Sequence, residues 1–122
     1  LKYTEFTERF GDPDWENDPY GVTFPGGETI AEFQIRIGTA TRALIERVGS
    51  GTAIVFCHGG VVDTVLRQSL RTSGTGIFEI HTKNTSITEF VIVRPGRSRL
   101  VRYNDAAHTA DLPASTNRPE DF

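Results

Sequence analysis

The chain has 122 residues, enough for one domain that buries roughly two-thirds of its unfolded surface. A net charge of -3 gives no bulk attraction to nucleic acid or an anionic membrane, and no apolar run nears the roughly 20 residues of a membrane helix. A single cysteine rules out an internal disulfide and suits a reducing compartment, so the expected location is the cytoplasm.

Methionine is absent and the first residue is Leu1, so the expectation is that sequence has been removed ahead of it. Tyr3, Phe6 and Phe10 stand at helical spacing and predict one or two helical turns. Residues 11–27, GDPDWENDPYGVTFPGG, are dense in Gly, Pro, Asp and Asn and predict a long loop. Its acidic run, Asp12, Asp14, Glu16 and Asp18, is not a calcium loop. An EF-hand needs glycine where Asn17 stands, and Pro13 interrupts the run. These are solvated carboxylates.

Thr29-Ile30-Ala31-Glu32 is a capping box, in which each side chain satisfies the other residue's free backbone N–H. Ile30, Phe33, Ile37, Thr41, Leu44 and Val48 line one face of a helix over 30–48, and Gly49 ends it. Gly38 either costs this helix about 1 kcal/mol relative to alanine or marks a close packing contact. TAIVFC, residues 52–57, is a continuous apolar run, as expected of a strand covered on both faces, with Cys57 a small core residue. HGG follows, then a helix with Val61, Val62, Val65, Leu66 and Leu70 as its apolar stripe. Helix, buried strand, glycine turn, helix is the rhythm of an α/β fold with a mostly parallel sheet. Ile77–Ile80 reads as a short strand. Ser86–Val93 and Arg99–Tyr103, joined through Pro95-Gly96, predict a hairpin. The domain is expected over 1–110, with 11–27 as its loop and 111–122 as a tail.

His58, Gly59 and Gly60 stand where the apolar run meets the helix, at the strand end where α/β folds place ligands. The first N–H groups of a helix lack partners and carry partial positive charge, which favours an anion. Glycines let the backbone approach an oxyanion closely. A bound phosphate dianion would draw an imidazole toward its charged form. The same residues also suit a histidine that ends a strand and binds nothing. Cys57 and His58 are neighbours that an extended strand points to opposite faces, a poor nucleophile–base pair. His58, His81 and His108 have no metal-ligand spacing.

The succession PGGET, AIVFCHGGVVDTVL, NTSITEF and RYNDAAH, from about Phe24 to His108, resembles the C-terminal half of the histidine phosphatase (phosphoglycerate mutase-like) superfamily. The resemblance implies a three-layer α/β/α fold and a phosphomonoester hydrolase working through a phosphohistidine, or a mutase. His58 is then the second, phosphate-clamping histidine, the Gly59 N–H helps bind phosphate, and no cofactor or metal is needed. Glu28, in GGET, matches a family motif near the pocket, though not the usual proton donor, and equally suits a first-turn helix residue favoured by the dipole. Asn84, Asn104, Asp105 and His108 match positions with structural roles. The nucleophilic Arg-His-Gly is absent: Cys precedes His58, Ile precedes His81 and Ala precedes His108. The expected chain is therefore a partial domain, lacking the strand that carries that motif and inactive alone. Its partner is a phosphorylated small molecule or phosphate, and the sheet edges left open favour a homodimer.

Overall fold

The computed structural model of the chain describes residues 2–75 and 78–113. It contains helices α1 (Tyr3–Phe10), α2 (Ile30–Val48) and α3 (Gly59–Leu70), then strands β1 (Ile87–Arg94) and β2 (Arg97–Asp105) and a 3-10 turn at Ala107–Thr109. Helices accompany a two-stranded antiparallel sheet, so the fold is mixed α/β.

α1 is a full eight residues, longer than the spacing predicts. The Lys2 N–H donates to the Glu5 carboxylate at 3.0 Å, satisfying a group ahead of the first turn. Phe6 stacks near Phe10 and Phe24, with ring centroids 5.2 and 5.3 Å apart, and Trp15 lies 6.0 Å from Phe24. This aromatic cluster ties the short helix to the following loop, contact an isolated helix of this length needs. Within the loop, carboxylates serve the backbone: Asp14 accepts from the Asn17 N–H at 2.8 Å and Asp18 from the Gly21 N–H at 3.0 Å.

α2 starts and stops where its sequence predicts. The Glu32 N–H donates to the Thr29 hydroxyl at 3.2 Å, and the Thr29 N–H to the Glu32 carboxylate at 2.8 Å. Gly49 takes a φ of +58°, which an L side chain rarely adopts. Ile37 is buried on the inward face, with Phe33, Leu44 and Val48 half-buried.

α3 packs against α2. A Cβ at Gly60 would lie 3.8 Å from the Phe33 ring, so the first turns of the two helices meet there. Farther along, the Gln68 amide donates to the Gln34 carbonyl at 2.9 Å, and a Cβ at Gly38 would come within 3.1 Å of the Gln68 side chain. Gly38 thus marks a close approach. The Gln34 amide in turn donates to the Gly74 carbonyl at 2.8 Å, holding the loop after α3. Leu66 is buried, but Leu70, expected in the same stripe, is 66% exposed. It stands in the last turn, beyond the contact with α2.

Residues 52–57 depart most from expectation. They form no strand: among the described residues they make no backbone hydrogen bond and join no sheet. Ile54 and Phe56 are 83% and 96% exposed, and Cys57 is exposed rather than a core residue. The reason is physical: an apolar strand is covered only when other strands and helices flank it, and the described residues supply none. The two-thirds burial expected from length also fails. The chain exposes 10,011 Å2, against about 6,500 Å2 for a folded monomer of its mass. Residues 78–80, within the expected strand at 77–80, form no ladder, and Gly76 and Ile77 lie outside the described residues.

The hairpin forms as its turn chemistry predicts. Pro95 presets one corner and Gly96 takes a φ of +75° at the next, with Arg94 and Arg97 paired beside them. The expected tail lies outside the described residues from 114 onward. Among the described residues no helix is long and apolar enough to cross a membrane.

Candidate functional site

His58 is the N-cap of α3. Its backbone is extended (φ -114°, ψ 165°), and its carbonyl accepts the first helical hydrogen bond, from the Val61 N–H at 2.9 Å. Its side chain is exposed and makes no capping bond, and among the described residues the imidazole has no hydrogen-bond partner. Among the described residues, the Gly59 and Gly60 N–H groups have no acceptor and are exposed. Imidazole and unpaired amides therefore sit together at the positive end of a 12-residue helix.

Neither glycine takes a positive φ. A Cβ at Gly59 would stand 3.6 Å from the Thr82 Cβ, an ordinary contact, and the Gly60 position is as open. Folding does not require glycine at either place.

The segment that carries Thr82 is fastened from both sides. The Lys83 N–H donates to the Asn104 side-chain carbonyl at 2.7 Å, and the Tyr103 hydroxyl donates to the His81 carbonyl. Asn104 itself adopts φ +53°, a conformation asparagine tolerates, and its N–H donates to the Thr88 hydroxyl at 3.2 Å. From the helix side, Arg67 donates from Nε to both Asp63 oxygens at 3.0 Å and from its terminal nitrogen to the Phe78 carbonyl. The hairpin end and α3 thus hold 78–83 beside Gly59. Asp105 accepts from the Ala107 N–H at 3.0 Å, a local turn, while Asn84 and His108 are exposed.

Glu28 stands one residue ahead of the α2 N-cap, outside the helix, and is bound by the Arg36 guanidinium. The Arg36 Nε donates to one carboxylate oxygen at 2.9 Å and a terminal nitrogen to the other. These hydrogen bonds, with the guanidinium charge, hold the Glu28 carboxyl below its ordinary range. The favoured form is an acceptor, not a proton donor. A group lowered in this way stabilises the fold above its ordinary pKa, and the contribution fades as acid protonates it in the folded state. Arg36→Gln is expected to return the Glu28 titration toward that of a free carboxylate, followed by carboxyl-carbon NMR. An unchanged midpoint would show that the ion pair does not form in solution.

Sequence reasoning singled out His58, Gly59 and Glu28 as candidates; the structure adds Arg36 against Glu28, and Arg67 and Thr82 around the start of α3. Asp63 and Arg67 stand at i, i+4 within α3, a legible ion-pair spacing. Arg36 is eight residues from Glu28, and Thr82 meets Gly59 through tertiary structure, which no local pattern displays.

The sequence model of the histidine phosphatase superfamily (branch 1) matches residues 1–106. No curated protein and no solved structure matches the chain.

Proposed function

Because the chain belongs to the histidine phosphatase superfamily, branch 1, we propose that it is the phosphate-clamping part of a phosphomonoester hydrolase. Family membership supports phosphatase- or mutase-like function in general. The observation that carries the finer reading is the grouping of the uncommitted His58 imidazole with the free Gly59 and Gly60 N–H groups at the start of α3.

In this reading, a histidine in an Arg-His-Gly motif outside this sequence attacks phosphorus in line. The bond to the ester oxygen breaks as the N–P bond forms. Water then attacks, releasing phosphate and restoring the nucleophile. The His58 imidazolium donates to a phosphoryl oxygen, while the Gly59 and Gly60 amides share the growing negative charge. The fold implied is a three-layer α/β/α arrangement with 52–57 as an inner strand of a mostly parallel sheet. No metal or cofactor enters this mechanism. The cytoplasm suits the reading, because there the exposed Cys57 thiol stays reduced.

The lack of Arg-His-Gly in the sequence favours a second reading for the chain on its own, a non-catalytic phosphate-binding module. Both readings require phosphate at His58. Calorimetry is expected to detect inorganic phosphate binding at millimolar concentration, weakened roughly tenfold or more in His58→Ala, the worth of one charge-assisted hydrogen bond. Absence of binding would overturn both. The chain alone is expected to leave p-nitrophenyl phosphate intact, and turnover abolished by His58→Ala would overturn the assignment of the nucleophile to another segment.

A further inference from the structure

We propose that Glu28 is a positioning residue for the amide corner at the start of α3, acting on Gly60 through Arg36 and the Phe33 ring. The contacts stand on their own, while their bearing on phosphate rests on the assignment of His58 as a phosphate ligand.

Three contacts form the line, and all of them lie within the chain. The Arg36 guanidinium clasps both Glu28 oxygens, with its Nε 2.9 Å from one of them. The same guanidinium carbon stands 5.2 Å from the centroid of the Phe33 ring, within the range of a cation–π contact. The tip of that ring, Cζ, is 3.8 Å from where a Cβ on Gly60 would be. Gly60 is the second residue of α3, and its N–H is one of the two beside His58 that have no acceptor among the described residues.

Each contact fixes what the next one needs. An arginine on a helix surface samples many rotamers, and a carboxylate that accepts from two of its nitrogens selects one planar orientation. Glu28 lies ahead of the Thr29 N-cap, so it draws the guanidinium back toward the start of α2. Phe33 stands there, three residues before Arg36 and its neighbour on the helix surface. A cation held over the ring face fixes the ring, and the ring tip sets how closely the first turn of α3 approaches. Gly60 has no side chain with which to set that distance itself. The nearby Glu32 carboxylate is engaged elsewhere, accepting from the Thr29 N–H and hydroxyl at 2.8 and 3.0 Å. Glu28 and Arg36 are both exposed, so their pair adds little to folding, and its effect falls on the corner. This role needs the carboxylate charged and needs no contact with a phosphoryl group.

Amide NMR of Gly59 and Gly60 without ligand, followed by titration with inorganic phosphate, tests the proposal in the whole chain. Glu28→Gln is expected to move the Gly60 resonance by more than its line width. It is also expected to weaken phosphate roughly two- to fivefold, the worth of an exposed cation–π contact, with the urea midpoint nearly unchanged. Phe33→Leu separates a relay from the direct field of the carboxylate. In that background Glu28→Gln is expected to change neither the Gly60 resonance nor phosphate affinity any further. Arg36→Gln, at an exposed side chain, is expected to reproduce the Glu28→Gln shift and serves if Phe33→Leu does not fold. Glu89→Gln, which breaks a comparable surface pair with Arg102 at 3.6 Å, is expected to leave Gly60 unmoved. An unmoved Gly60 resonance in Glu28→Gln or Arg36→Gln overturns the proposal, as does a Glu28→Gln shift that survives in Phe33→Leu. Unchanged phosphate affinity in Glu28→Gln, where the parent binds, overturns it too. A parent that binds no phosphate overturns the assignment of His58 instead, and the amide shifts still decide the relay.

Discussion

Replacing Arg67 with alanine is expected to destabilise the chain by about 3 kcal/mol, the cost of stranding partners that are largely withdrawn from water. The Arg67 side chain is only 10% exposed, and the Asp63 side chain that faces it is 26% exposed. Without Arg67, that carboxylate loses two hydrogen bonds and its counter-charge, and the Phe78 carbonyl loses a donor. Three hydrophobic residues, Val22, Ile37 and Leu66, are buried among the described ones, so little apolar burial stands in reserve. A loss of this size is a large share of the 5–15 kcal/mol typical of a domain. Arg67→Lys keeps the charge but not the planar fork that spans Asp63 and Phe78, so an intermediate loss is expected. Urea unfolding gives the comparison: a change under 0.5 kcal/mol in Arg67→Ala would show that the bridge is broken in solution. Because Arg67 also holds the segment carrying Thr82, phosphate affinity at His58 is expected to fall in the same variant.

The features legible in the sequence are those whose causes are local. The limits of α2 follow from a capping box at Thr29–Glu32, a 3.6-residue apolar period and a glycine at 49, all within one stretch of chain. The hairpin follows from Pro95-Gly96 between two β-rich runs. His58 at the start of α3 was legible for the same reason, since the helix stripe abuts it. The covered sheet was not, because a strand's partners lie elsewhere in sequence. The residues TAIVFC report an intrinsic preference for a strand, but among the described residues nothing pairs with them or buries them. The same limit hid the clasp from Asn104 to Lys83, 21 residues apart. Glu28 shows a subtler failure. Read as a possible first-turn helix residue, it stands instead one residue ahead of the N-cap, where the second turn of that helix supplies Arg36, which holds it as a carboxylate.

Gly59 and Gly60 separate what the fold needs from what an anion needs, and the two demands predict effects of opposite sign. Glycine in a helix costs up to about 1 kcal/mol per residue relative to alanine, chiefly through backbone entropy lost on folding. That cost is normally offset by a positive φ or by a contact too close for a Cβ. Neither applies here: both residues are helical, and the added methyls would stand 3.6 Å from Thr82 and 3.8 Å from Phe33. The double variant Gly59→Ala, Gly60→Ala is therefore expected to be more stable by roughly 1 kcal/mol, with a higher midpoint in urea. Its phosphate affinity is expected to fall at least tenfold, because two methyls crowd the amides that an oxyanion would have to reach. Helix content and the α2–α3 contact are expected to persist, so the loss reports on the ligand and not on folding. A double variant that binds phosphate as tightly as the parent would remove the amides from the site, leaving His58 to act alone. A less stable variant would show instead that the glycines serve packing at the α2–α3 junction, and the case for an anion there would lose its independent support.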